Sequence, residues 1–137
     1  MKGIDVAKWN GVIDWKKVKE DGVQFAILKA INKQCKVEDS FTRNYAGALS
    51  VGLPIDVYNY SYATSVSKAT SDAQSVLNAI KGKKVGTVWL DVEDKIQMNL
   101  GMTLIDIINA YKYIIEKAGY GFGVYTGLSF YNTLIRP

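Results

Sequence analysis

Two hydrophobic periods take turns along this chain. Short β-branched and aromatic runs that read as strands alternate with longer stretches whose apolar residues recur at helical spacing. The first run, residues 3–9, carries Asp5 and ends at an Asn10–Gly11 turn signal. Asp14 is placed to cap a short helix over 15–21, with Trp15 and Val18 inward and Gly22 as the stop. Residues 23–31 are apolar almost throughout, as in a strand covered on both faces. After a polar loop at 32–36, Phe41, Tyr45, Ala48 and Leu49 fall at helical spacing and Gly52 closes that helix.

Pro54 opens a third strand over 55–62, whose alternation puts Tyr58, Tyr60 and Tyr62 on one face. Ser65 or Ser67 caps the next helix, with Val66, Ala69, Ala73, Val76, Leu77 and Ile80 as its buried stripe. A fourth strand over 85–93 ends in Asp91, Glu93 and Asp94. Thr103 is the expected cap of a helix with Asp106 in its first turn and Leu104, Ile107, Ile108, Tyr111, Ile114 and Ile115 inward. A fifth strand at 121–126 and a short helix at 128–135 complete the pattern. Strand and helix thus alternate five times with short loops, which predicts a parallel sheet with right-handed crossovers. Periodicity leaves a doubly wound open sheet and part of a β/α barrel equally open.

With 137 residues, 48% hydrophobic and 22% charged, the chain suits one globular domain with a real core, taken as residues 1–137. There is no histidine, which removes His-based triads and most catalytic zinc sites. The single Cys35 reads as a tolerated loop residue, no Cys/His cluster suggests a metal, and no glycine-rich turn suggests a nucleotide, so no cofactor is expected. The formal charge of +4 would suit an anionic polymer such as a cell wall. No dense Lys/Arg run predicts nucleic-acid binding, and no apolar run reads as a membrane span or signal peptide.

Carboxylates, hydroxyls, tyrosines and lysines are left to carry the chemistry. Asp91 and Glu93, two apart on an extended backbone, should share a face, and Asp5 at the end of strand one should lie on the same rim. Paired acids beside aromatic rings are what glycoside hydrolysis uses. The tyrosines at or near strand ends (Tyr58, Tyr60, Tyr62, Tyr125) offer flat faces with hydroxyl handles for sugar rings.

The residues also carry a resemblance. The opening Gly3-Ile4-Asp5-Val6-Ala7-Lys8-Trp9-Asn10-Gly11 and Ile13-Asp14-Trp15 resemble the start of glycoside hydrolase family 25 lysozymes. Phe41 to Asn44, Ala48 and Gly52-Leu53-Pro54 match the segment before that family's third strand. Leu90-Asp91-Val92-Glu93 matches its Asp-x-Glu motif, and Val124-Tyr125-Thr126 its fifth strand. The resemblance implies an α/β fold, a parallel β/α barrel of which this chain holds about the first five β/α units. It implies an N-acetylmuramidase that cuts the β-1,4 bond between N-acetylmuramic acid and N-acetylglucosamine in bacterial peptidoglycan. Glu93 would be the general acid, Asp91 would assist through the substrate N-acetyl group, and Asp5 would be a supporting acid. Like charges and partial desolvation should keep the proton on Glu93, with Asp91 the first to ionise.

Two positions and the length depart from the family. Asn32 stands where an acid is usual. Asp56 stands in the third strand where glycine is common, with Lys29 a candidate partner. The family's domain is also longer, with a further acid on a late strand that has no counterpart here. These departures support an alternative, a weakly active or inactive glycan-binding fragment that self-associates through the uncovered edge of strand five. The expected setting is a phage or prophage endolysin, made in the cytoplasm without a signal peptide and released onto the wall. A third reading is an open flavodoxin-like sheet with an acidic metal pocket formed by Asp5, Asp91 and Asp94.

Overall fold

Caps written into the sequence start two of the helices. Asp14 accepts from the Lys17 amide at 3.2 Å to open α1 (Trp15–Glu20), and Ser65 accepts from the Lys68 amide at 3.1 Å to open α3 (Val66–Ile80). The computed structural model describes residues 2–126, and the helix predicted at 128–135 lies outside them. Two further helices are α2 (Phe41–Ser50) and α4 (Met102–Lys117). The strands are β1 (Gly3–Val6), β2 (Phe25–Lys29), β3 (Ile55–Tyr60), β4 (Thr87–Asp91) and β5 (Gly121–Tyr125).

Neighbouring strands all pair parallel, and their spatial order is the chain order β1-β2-β3-β4-β5. A doubly wound sheet reverses direction at a switch point, and this one does not. The flavodoxin-like alternative is therefore overturned by topology. Right-handed crossovers wound in one direction keep the helices on one face of the sheet. The strands record this division in their alternation. Ala26, Leu28, Val57, Val88 and Leu90 are fully buried, whereas Phe25, Ile27, Tyr58, Tyr60 and Trp89 on the other face are half-buried and border a cavity.

The core between sheet and helices is built from Ala73, Val76 and Ile80 of α3 and Leu104, Ile108, Tyr111 and Ile115 of α4. Each fully buried aliphatic side chain is worth about 1.5–3 kcal/mol relative to exposure. Tyr111 brings a hydroxyl into this core and satisfies it by accepting from Asn59 Nδ2 at 3.1 Å, with its ring 5.9 Å from that of Phe122.

Several expectations need correction. Gly101, at φ +57°, takes the N-cap of α4, so Thr103 lies inside the first turn and Asp106 beyond it. Val66 is the first residue of α3 and Leu49 the penultimate residue of α2, and both side chains are exposed. The strands are shorter than their apolar runs. β2 stops at Lys29, and Ile31 forms only an isolated bridge with Val37 because the chain turns there. β4 stops at Asp91, which places Glu93 in the loop that follows.

Candidate active site

The half-buried face of the sheet and its carboxyl rim enclose a cavity of about 490 Å³, bordered by Asp5, Lys29, Tyr58, Tyr60, Trp89, Asp91 and Tyr125 among others. Register explains the grouping. Tyr60, Asp91 and Tyr125 stand opposite one another across β3, β4 and β5, and Lys29, Tyr58 and Trp89 form the row below. Directly opposed residues on neighbouring strands are about 5 Å apart, so each row is a continuous strip of side chains.

The loop after β4 is tied on both sides. The Ser61 amide donates to the Asp91 carbonyl at 2.9 Å, the Val92 amide donates to the Tyr125 carbonyl at 2.8 Å, and the Thr126 hydroxyl donates to the Val92 carbonyl. Val92 is fully buried, and Glu93 beyond it is exposed to solvent. Gln97, fully buried, donates through Nε2 to Ser61 Oγ at 3.0 Å and to the Ala63 carbonyl at 2.9 Å, fastening this loop to the end of β3.

Burial corrects the expectation that like charges and partial desolvation keep the proton on Glu93 and let Asp91 ionise first. Asp91 Oδ1 is buried without a hydrogen-bond partner. Desolvation first, then the charge and hydrogen bonding of Glu93, then the charge of Asp5, push the Asp91 carboxyl up from 3.8 to about 7, while Lys29 opposes them. Asp91 is thus the member of the pair with the raised pKa, because it sits against the wall of the cavity while Glu93 reaches into water.

The tyrosines divide into two groups. Tyr58 borders the cavity with its hydroxyl pushed up to about 12 by burial, aided by the charges of Asp5, Asp91 and Glu38. Tyr60 donates to Asp94 Oδ2 at 3.1 Å, and burial together with that bond raises its pKa as well. Both therefore stay neutral donors at working pH. Tyr125 is exposed at the rim. Tyr62 points elsewhere: its ring packs 5.0 Å from Tyr60 under the Lys33 ammonium, bordering a small cleft with Cys35, Lys68 and Asp72. In that cleft the Lys68 ammonium bonds Asp72 and reaches Cys35 Sγ at 2.9 Å, and burial raises the thiol's pKa.

The acid pattern did not reveal Glu38, nor the partners of Asp94, Asp56, Lys29 and Asn32. Glu38 is buried and spends both oxygens, accepting from the Lys8 amide at 2.8 Å and from the Ser40 amide at 3.0 Å and the Ser40 hydroxyl. It thereby fixes the turn that follows Asp5. Asp94 holds Tyr60 and caps a short 3₁₀ turn by accepting from the Ile96 amide at 3.1 Å. Asp56 is partnered by the Thr87 amide at 2.9 Å and Trp89 Nε1 at 3.1 Å, which corrects the pairing with Lys29. Lys29 instead acts on Asp91. Asn32 accepts from the amides of Gln34 and Lys36 at 3.0 and 3.1 Å, so it shapes its own loop.

A family profile described as glycosyl hydrolases family 25 matches residues 4–136. The chain belongs to that family. Among curated relatives of this family 25 chain, the autolytic lysozyme of Clostridium acetobutylicum is 31% identical over 132 residues, covering 96% of this chain and 40% of that protein. Lysozyme M1 of Streptomyces globisporus is 36% identical over 61 residues, or 44% of this chain and 21% of that one. Of the solved structures, the modular autolysin LytC from Streptococcus pneumoniae superposes with a TM-score of 0.87 at 28% identity, covering 98% of this chain and 34% of LytC. LytC has also been solved in complex with a synthetic peptidoglycan ligand, and that structure superposes with a TM-score of 0.85. The family 25 chain therefore spans less than half the length of these relatives.

Proposed function

We propose that this chain is the catalytic domain, or the greater part of one, of a lysozyme that hydrolyses the β-1,4 bond between N-acetylmuramic acid and N-acetylglucosamine in bacterial peptidoglycan. The observation that carries the proposal is the acid pair at the end of β4. Asp91 is partly desolvated, pushed up to about 7 and borders a cavity walled by tyrosines and Trp89, and its neighbour Glu93 is exposed to solvent and acts on it by charge and hydrogen bonding. The kinship with autolytic lysozymes, an autolysin and its peptidoglycan complex supports the substrate class and a site of action at the cell wall.

Glycosidic cleavage needs a proton for the leaving oxygen and charge stabilisation for the oxocarbenium-like transition state. Glu93, exposed to solvent beside Asp91, delivers to the leaving oxygen the proton that the Asp91 carboxyl holds near neutral pH. Asp91, held rigidly one step inside, faces the N-acetyl group and orients its oxygen toward the anomeric carbon. Asp5 adds negative potential across the rim, and Tyr58, Tyr60 and Tyr125 supply ring faces and hydroxyl donors for the sugar.

The test is release of reducing ends from purified cell walls by the full chain and by Glu93→Gln. The variant should fold normally and lose activity by at least a hundredfold. In the parent, activity should fall as pH rises through about 7, where the Asp91 carboxyl gives up its proton. Wall cleavage by Glu93→Gln at the parent rate would refute the assignment. Glycan binding without cleavage by the parent would favour the glycan-binding alternative.

A further inference from the structure

An acid inside a strand requires an explanation, and Asp56 has one that leads to the site. It lies on the same face of β3 as Tyr58 and Tyr60, near the far end of the cavity from the rim. Its two oxygens are committed separately, Oδ1 to the Thr87 amide and Oδ2 to the indole N–H of Trp89. The second bond fixes the rotation of a large ring whose other surface rests on β5. There Gly123 leaves the seat open, since a Cβ at that position would come within 2.4 Å of the indole. Trp89 is thus gripped by an acceptor on one neighbouring strand and seated on bare backbone of the other. Two residues further along β4, on the same face, stands Asp91.

We propose that Asp56 is a positioning residue for the acid pair, acting through Trp89, whose locked indole forms the water-excluding wall beneath Asp91. The role rests on the functional reading above, which makes Asp91 and Glu93 the working acids. Asp56 does not act on Asp91 by its own charge. The charged groups that do are Glu93 on the loop after β4, Asp5 on β1 and Lys29 on β2, with the neutral hydroxyls of Tyr58 and Tyr60 on β3 and Tyr125 on β5 completing the surroundings. The largest contribution to the state of Asp91 is its removal from water, and that is the contribution a mobile indole would weaken.

Two variants test this, Asp56→Asn and Trp89→Phe. The first removes one strong acceptor. The second removes the indole N–H while keeping the Asp56 charge, so any downward change in the Asp91 pKa cannot come from loss of that charge. The direct readout is the ¹³C carboxyl titration of Asp91 in the full chain, which needs no substrate. In both variants the Asp91 transition should move about one pH unit lower, and the ratio of wall cleavage at pH 8 to that at pH 5 should fall about tenfold. An unchanged Asp91 titration in both folded variants would overturn the proposal. If the parent cleaves no wall at all, the proposed function fails, while the titration still decides whether Asp56 controls Asp91.

Discussion

Asp91→Asn should make the protein more stable at neutral and alkaline pH, although it removes a candidate functional acid. In the folded chain the carboxyl is pushed up from 3.8 to about 7, first by desolvation and then by Glu93 and Asp5. A group with a raised folded pKa contributes stability that is fully present below its unfolded pKa and lost as pH rises through the folded one. The parent should therefore lose stability between about pH 4 and pH 7, and the Asn variant should lack this component. At about 1.4 kcal/mol per pH unit the full difference would be roughly 4 kcal/mol. Asp91 is only half-buried, so solvent screening reduces this to about 1–2 kcal/mol. Urea denaturation of both proteins at pH 4.5 and pH 8.5 measures it: the curves should nearly coincide in acid, and the Asn protein should be favoured in base. In melting temperature the alkaline gap is about 5 °C. A parent–variant difference equal at the two pH values would refute the claim that folding holds Asp91 in an environment hostile to its charge.

Two further substitutions probe the scaffold. Glu38→Ala leaves the Lys8 and Ser40 amides without their buried acceptor, and should cost about 2–4 kcal/mol in chemical denaturation. A loss below 0.5 kcal/mol would show that water replaces the carboxylate freely. Gly123→Ala drives a methyl into the Trp89 ring and should cost about 1–3 kcal/mol, with a shift in tryptophan emission as the indole leaves its seat.

Much of this arrangement was legible in the sequence because it depends on local rules. Alternation alone put Tyr58 and Tyr60 on one face of the third strand, but it also put Tyr62 there, which lies past the end of β3 and borders another cleft. Caps at Asp14 and Ser65 were equally local. The supporting residues were hidden because their partners are remote. Glu38 binds Lys8, Asp56 binds Trp89 and Gln97 binds Ser61, and nothing in the composition of either partner marks the pair. The placement of the raised pKa was missed for a similar reason. A strand read as running to residue 93 put the desolvation on Glu93, whereas β4 ends at Asp91, which makes Asp91 half-buried and leaves Glu93 in water. The strand order settled what periodicity could not, since both sheet topologies use the same alternation of elements.

That order also bears on how the molecule comes into being. Strands adjacent in space are adjacent in sequence, so the sheet can grow by docking one β/α unit at a time, with only short loop closures at each step. Asp5 and Lys29 are laid down first, the tyrosine face next and the acid pair only with the fourth unit. A growing chain thus carries Tyr58 and Tyr60 before Asp91 and Glu93, while the Gly123 seat of Trp89 and the rim residue Tyr125 arrive last, with β5.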